Sequence, residues 1–274
     1  MSGRTIQAIR PPAVAGVFYP ERAQSLGDLV DRLVGPHRNR HRVVAAVVPH
    51  GGYLSSGTVA AEIYGRIDVP PVAVIVGPDH AGTGKPWSIV KKGSWETPLG
   101  CLPVDEKLAQ SILRGAPDLQ SDPHAHRDEH AVELQLPFLQ RAGKIRSFVP
   151  MAVAGGDAAA AQQLGAGIAQ AIRGFESGVL LIASAHMSNY EPKERSQAQD
   201  PGTIQRIVHL DEMGLLKRVE ERSLSMCGAF ATAVCLSAAK QLGASNGFLV
   251  AYSTGEDFFG EESPVSGYAG ILIQ

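Results

Sequence analysis

Two histidines stand at the exits of apolar, β-branched runs, in Val47-Val48-Pro49-His50-Gly51-Gly52-Tyr53 and in Val74-Ile75-Val76-Gly77-Pro78-Asp79-His80. A third donor, the thiol of Cys227, lies far downstream in Met226-Cys227-Gly228, where an apolar helical stretch opens. Parallel sheets gather their ligands at the carboxyl ends of the strands, where Pro and Gly stop the ladder. Two neighbouring parallel strands ending in the same way would set their imidazoles side by side. A thiol at a helix N-terminus feels the positive end of the dipole, which favours the thiolate that binds metals. If the three groups converge, two imidazoles and one thiolate leave a fourth position open. That set suits catalytic zinc, iron or copper rather than magnesium or calcium.

Three further stretches carry groups able to move protons. In Asp128-Glu129-His130-Ala131-Val132-Glu133, a helix over 129–140 would be capped by Asp128 and complemented by Glu129. It would also place His130 and Glu133 on one face, three residues apart, as a proton relay or as supports for the metal ligands. In Ser184-Ala185-His186-Met187-Ser188-Asn189-Tyr190, at the end of another apolar run, His186 is a candidate general acid or base and Asn189 a hydrogen-bond donor. Tyr53 either brings a phenol near the metal or is a core or rim aromatic. Cys235 lies deeper in the apolar helix and packs; Cys101, in a Gly-Cys-Leu-Pro turn, has no visible partner.

Positioning these groups calls for a layered structure. Strand-like runs at 43–48, 72–76, 147–153, 179–183, 248–252 and 268–273 alternate with helical periodicity at 24–34, 58–66, 105–113, 129–140, 158–173, 211–220 and 228–242. The alternation predicts an α/β fold, a mainly parallel sheet with helices on both faces, as a single domain over 1–274. Two stretches, 81–103 and 187–202, lack regular pattern, and the first includes a candidate edge hairpin over Trp87 to Pro103, with strand-like pieces at Ser88 to Val90 and Trp95 to Gly100. The 274 residues are 44% hydrophobic, enough for a large core, and 25 basic against 27 acidic residues give no field for nucleic acid or an anionic membrane. Small molecules or proteins are the expected partners. No run approaches the roughly 20 apolar residues of a membrane span, residues 1–10 lack the apolar core of a signal peptide, and three cysteines make no disulfide framework, so a cytoplasmic location is expected.

Several motifs in order give the chain a resemblance to the MEMO family, also known as protein B of the AMMECR1–MEMO–radical SAM group. They are Arg10-Pro11-Pro12-Ala13-Val14-Ala15-Gly16-Val17-Phe18-Tyr19-Pro20, Pro49-His50-Gly51-Gly52-Tyr53, Gly77-Pro78-Asp79-His80, Trp95-Glu96-Thr97-Pro98-Leu99-Gly100, the run from Glu129 to Phe138, and Met226-Cys227-Gly228. The family is similar in fold to the class III extradiol dioxygenases. The resemblance implies an iron or copper site on His50, His80 and Cys227, with cysteine where the dioxygenases have a carboxylate. It also implies AMMECR1-like and radical SAM partner proteins. The chain departs from the family at 184–190, where Ser-Ser-Asp-x-x-His-Tyr is usual, so the family's acid–base role passes to His186 from a shifted position or is lost. Three functions follow as expectations: a mononuclear redox protein that activates dioxygen or cycles its metal; a metal-dependent hydrolase using His186 or His130 as base; or a non-catalytic module holding a peptide or small molecule in the cleft.

Overall fold

The computed structural model describes residues 8–36, 40–255 and 264–274. The strands are β1 (Ile9–Arg10), β2 (Ala45–Val48), β3 (Val72–Pro78), β4 (Trp87–Ile89), β5 (Ser94–Thr97), β6 (Gly100–Pro103), β7 (Gln120–Ser121), β8 (Ser147–Val153), β9 (Val179–Ser184), β10 (Ser188–Glu191), β11 (Gly247–Thr254) and β12 (Val265–Ile273). The α-helices are α1 (Ala23–Val34), α2 (Gly57–Tyr64), α3 (Glu106–Gly115), α4 (Leu136–Ala142), α5 (Ala158–Arg173), α6 (Lys193–Val208), α7 (Glu212–Arg222) and α8 (Ala229–Gln241). None is long and apolar enough to cross a membrane.

The large sheet runs β10-β12-β2-β9-β3-β8-β4-β7, with β11 also on β12. Its centre, β2-β9-β3-β8, is parallel. The flanks turn antiparallel at β12 against β2 and at β4 against β8, so the sheet is mixed around a parallel centre. Helix α8 packs on β2, β3, β8 and β9, and α2 packs on β2 and β12. Every residue of β2 and β3 is buried, which is why these strands read as unbroken apolar runs without alternation. A smaller sheet runs β1-β5-β6, and within it β5 and β6 form a hairpin in the second half of the stretch 87–103, whereas the piece at Ser88 joins the large sheet as β4, paired with β8 and β7.

Three expectations are corrected. Strands β2 and β3 are not neighbours, because β9 lies between them and pairs with both. No helix spans 129–140: a 3-10 turn at Glu133–Gln135 leads into α4, which starts at Leu136 with Pro137 in its first turn. The Glu129 carboxylate accepts the amides of His130 and Ala131, a local arrangement that competes with the helix, and Asp128 caps nothing there. Finally, most of the stretch 187–202 is regular, holding β10 and the first ten residues of α6. The inward face of α6 is polar at Ser196, Asp200 and Thr203 before it becomes apolar at Ile204 and Ile207. A search for apolar periodicity therefore misses its first turns.

Candidate metal centre

Strands β2, β9 and β3 lie side by side and parallel, and each delivers a histidine two residues beyond its last strand residue: His50, His186 and His80. The imidazoles gather accordingly. The ring of His50 stacks on that of His186 with centroids 4.3 Å apart and meets that of His80 edge-on at 5.2 Å. Cys227 arrives from the other side, just before Gly228, the N-cap of α8. A side chain on Gly228 would press into Ala185 and come within 2.7 Å of the Ser184 carbonyl oxygen, so only glycine lets this turn lie against the end of β9.

The Cys227 sulfur lies 3.4 Å from Nε2 of His50, and one ligand atom from each of His50, His80 and Cys227 falls within 4.8 Å of the others. Nitrogen and sulfur bound tetrahedrally to one cation at roughly 2.0 and 2.3 Å would stand about 3.5 Å apart. The donor set fits a soft or borderline ion.

Each candidate ligand is held from behind. Nδ1 of His80 lies 3.0 Å from Oε1 of Glu129, whose other oxygen accepts the His80 amide at 2.6 Å. Glu129 is fully buried, and the pair leaves Nε2 of His80 facing the cluster. Burial opposes charge on His80, but hydrogen bonds to Cys227 and Glu129 outweigh it and raise the imidazole to about 10. Glu129 is itself pulled below the usual carboxylate range: burial works against its charge, and His80 and the Ala131 amide prevail. His50 is the reverse case, lowered well below the usual histidine value by complete burial and then by the neighbouring imidazoles. Its neutral ring is the form that ligates.

The other predicted residues divide. His130 joins the cluster, stacked on His80 at 4.6 Å, with Nδ1 3.6 Å from Glu129; burial lowers its pKa. His186 lies in the cluster but both its ring nitrogens are engaged. Nε2 accepts the His50 amide at 3.3 Å, and Nδ1 therefore carries the proton given to Oδ1 of Asn189 at 2.8 Å. Its own amide points at the Cys227 sulfur at 3.5 Å, and burial lowers the imidazole to about 4. Its contacts tie His50 and Cys227 in place. Asn189 thus accepts where a donor was expected. The hydroxyl of Tyr53 donates to the Leu134 carbonyl at 2.8 Å, its buried ring packs on Tyr19 and Phe138, and burial pushes its pKa far up. Glu133 makes its hydrogen bonds to the segment 10–19. It is fully buried and accepts from Arg10, from the amides of Ala13 and Val14, and from the Tyr19 hydroxyl.

Sequence reasoning missed three supports: Glu129 as the partner of His80, Ser184 as the partner of His50, and Gln135, which donates to Ser184 from behind. Glu129 was visible beside His130, but a carboxylate ahead of an apolar run reads equally as a helix-terminus charge. In front of the cluster opens a cavity of about 990 Å³ whose floor is His50, His80, His130 and His186 and whose walls include Phe18, Leu54, Tyr190 and Tyr268.

The Memo-like protein family model matches residues 10–272. A MEMO1 family protein of Methanopyrus kandleri is 37% identical over 283 residues, covering 97% of this chain and 99% of that relative. A MEMO1 family protein of Aquifex aeolicus is 36% identical over 268 residues, with the same shares covered. Among solved structures, an uncharacterized protein of Escherichia coli K12 superposes with a TM-score of 0.55 over 83% of this chain and 99% of its own, at 14% identity, a likeness of fold alone. The chain belongs to the Memo-like protein family.

Proposed function

We propose that this protein is a mononuclear redox metalloprotein that holds one iron or copper ion on His50, His80 and Cys227. The observation that carries the reading is the convergence of two imidazoles and a thiol from three distant segments within 4.8 Å, each braced by buried partners. Such an ion, when bound, would supply one-electron chemistry beside the cavity. The chain's own contribution is positioning: Glu129 and Ser184 orient the two imidazoles, and His186 ties His50 to the Cys227 turn. His130, half-buried at the cavity floor, is the ring best placed to hold or release a proton beside a bound molecule. The cavity is larger than one cation needs and favours a small organic molecule or a peptide end as the second occupant. Three free cysteines fit a reducing, cytoplasmic compartment.

The test is anaerobic purification followed by titration with Fe(II) and Cu(I), with bound metal counted by mass spectrometry and oxidation state followed by electron paramagnetic resonance. One equivalent is expected, with affinity falling about 10-fold or more in each of His50→Ala, His80→Ala and Cys227→Ser. Unchanged binding in all three variants ends the metal assignment. A loaded protein that never changes oxidation state, yet hydrolyses esters with zinc, replaces the redox reading with the hydrolytic one.

A further inference from the structure

His50 can offer the cluster only a nitrogen that carries no proton, and which nitrogen that is gets decided outside the cluster. The Pro49 carbonyl only accepts, so the amide nitrogen of Gln135, 3.0 Å away, must face it. The Gln135 oxygen then takes the proton of the Tyr64 hydroxyl at 2.8 Å, which agrees with that orientation. The same amide nitrogen donates to Oγ of Ser184 at 2.8 Å. Ser184 has one proton, and its contact at 2.7 Å is to the Ala131 carbonyl, which cannot donate, so the proton is spent there. Oγ of Ser184 therefore meets Nδ1 of His50, 3.1 Å away, as an acceptor. Nδ1 carries the hydrogen, and the lone pair falls on Nε2, the atom 3.4 Å from the Cys227 sulfur. Tyr64, Gln135, Ser184 and His50 are all buried, so the direction of this chain is set by protein groups.

We propose that Ser184, oriented by Gln135 and Tyr64, is a positioning residue that locks His50 in its Nδ1–H tautomer before any metal arrives. Its purpose rests on the metal reading above, but the tautomer is a property of the metal-free chain and is measured without metal. Neutral histidine free in water prefers the opposite tautomer, so a lock is needed and its effect is visible. A ligand nitrogen held with its lone pair already aimed avoids a reorganisation on binding, which is how such outer partners act on affinity.

The experiment uses the full metal-free chain labelled with ¹⁵N at histidine and long-range ¹H–¹⁵N spectroscopy at neutral pH. His50 is expected with a protonated Nδ1 and an unprotonated Nε2. Ser184→Ala is expected to move His50 toward the Nε2–H form and to weaken Zn(II) binding, read by competition with a chromophoric chelator, by about 10- to 100-fold. Ser184→Thr, which keeps the hydroxyl, restores both. His50 found as Nε2–H in the unsubstituted chain overturns the proposal, as does a Ser184→Ala protein that keeps the Nδ1–H form. If Ser184→Ala does not fold, the spectrum of the unsubstituted chain decides alone. An Nδ1–H His50 in a chain that takes up no metal supports the lock and removes only the metal reading.

Discussion

Glu129 and Glu133 stand four residues apart, are both fully buried, and do unlike work. Glu129 spends its oxygens on His80 and three amides, so it serves the cluster. Glu133 receives Arg10 at 2.5 Å, two amides and the Tyr19 hydroxyl, and so fastens the segment 10–19 to the body of the fold. Arg10 in turn lies over the Trp95 ring at 4.0 Å. Glu133→Gln removes the charge that compensates a largely desolvated guanidinium. It is expected to cost about 3–5 kcal/mol in urea unfolding and to leave metal stoichiometry unchanged. Loss of metal at full stability would instead return Glu133 to the site. The histidines stood out as candidate ligands by their place at strand exits, and Cys227 by its place at a helix entrance. The two glutamates were indistinguishable in sequence, because what separates them is which residues of distant segments they meet.

At the scale of elements, α6 is the instructive case. Asp200 on its inner face is buried and accepts from the hydroxyls of Ser188 on β10 and Tyr252 on β11, so the helix is held to the sheet by a polar cluster rather than an apolar stripe. Burial raises the Asp200 pKa and outweighs those two donors. A carboxyl raised in the folded state contributes its stability below the unfolded value, about 3.9. That contribution fades as pH climbs through the raised folded value. The unsubstituted protein should therefore lose stability relative to Asp200→Asn as pH rises from about 4 toward neutrality. Paired urea unfolding curves across that range check it, and a constant difference between the two proteins would show that Asp200 does not titrate abnormally. Strand positions were legible at every central strand because burial on both faces leaves mostly apolar residues there, with serine only at the ends of β8 and β9. The polar start of α6 and the turn at 129–132 were not, because side-chain hydrogen bonding replaces apolar periodicity in both.

Across the whole molecule, three parallel strands and one helix entrance bring residues 50, 80, 186 and 227 to one end of the sheet. A ligand that bridges such separate segments exists only in the folded state, so binding it stabilises all of them together. At free metal 100-fold above its dissociation constant the gain is about 2.7 kcal/mol, which for a chain of this size corresponds to a rise of roughly 4–8 °C in melting temperature. Calorimetry with and without metal is expected to show that rise in the unsubstituted protein and at most about half of it in Cys227→Ser at the same free metal. An equal rise in both would place the metal elsewhere.

The amino-acid order alone determined the α/β class, the central strands, and three donors of a type that binds soft metals, since strand burial and ligand chemistry both leave their mark in residue type and short spacing. Tertiary structure alone decided that β9 separates β2 from β3, that His186 is engaged at both nitrogens, and which carboxylate backs a ligand. Strand order and hydrogen-bond partnership are contacts between segments far apart in the chain, and local pattern carries no record of them.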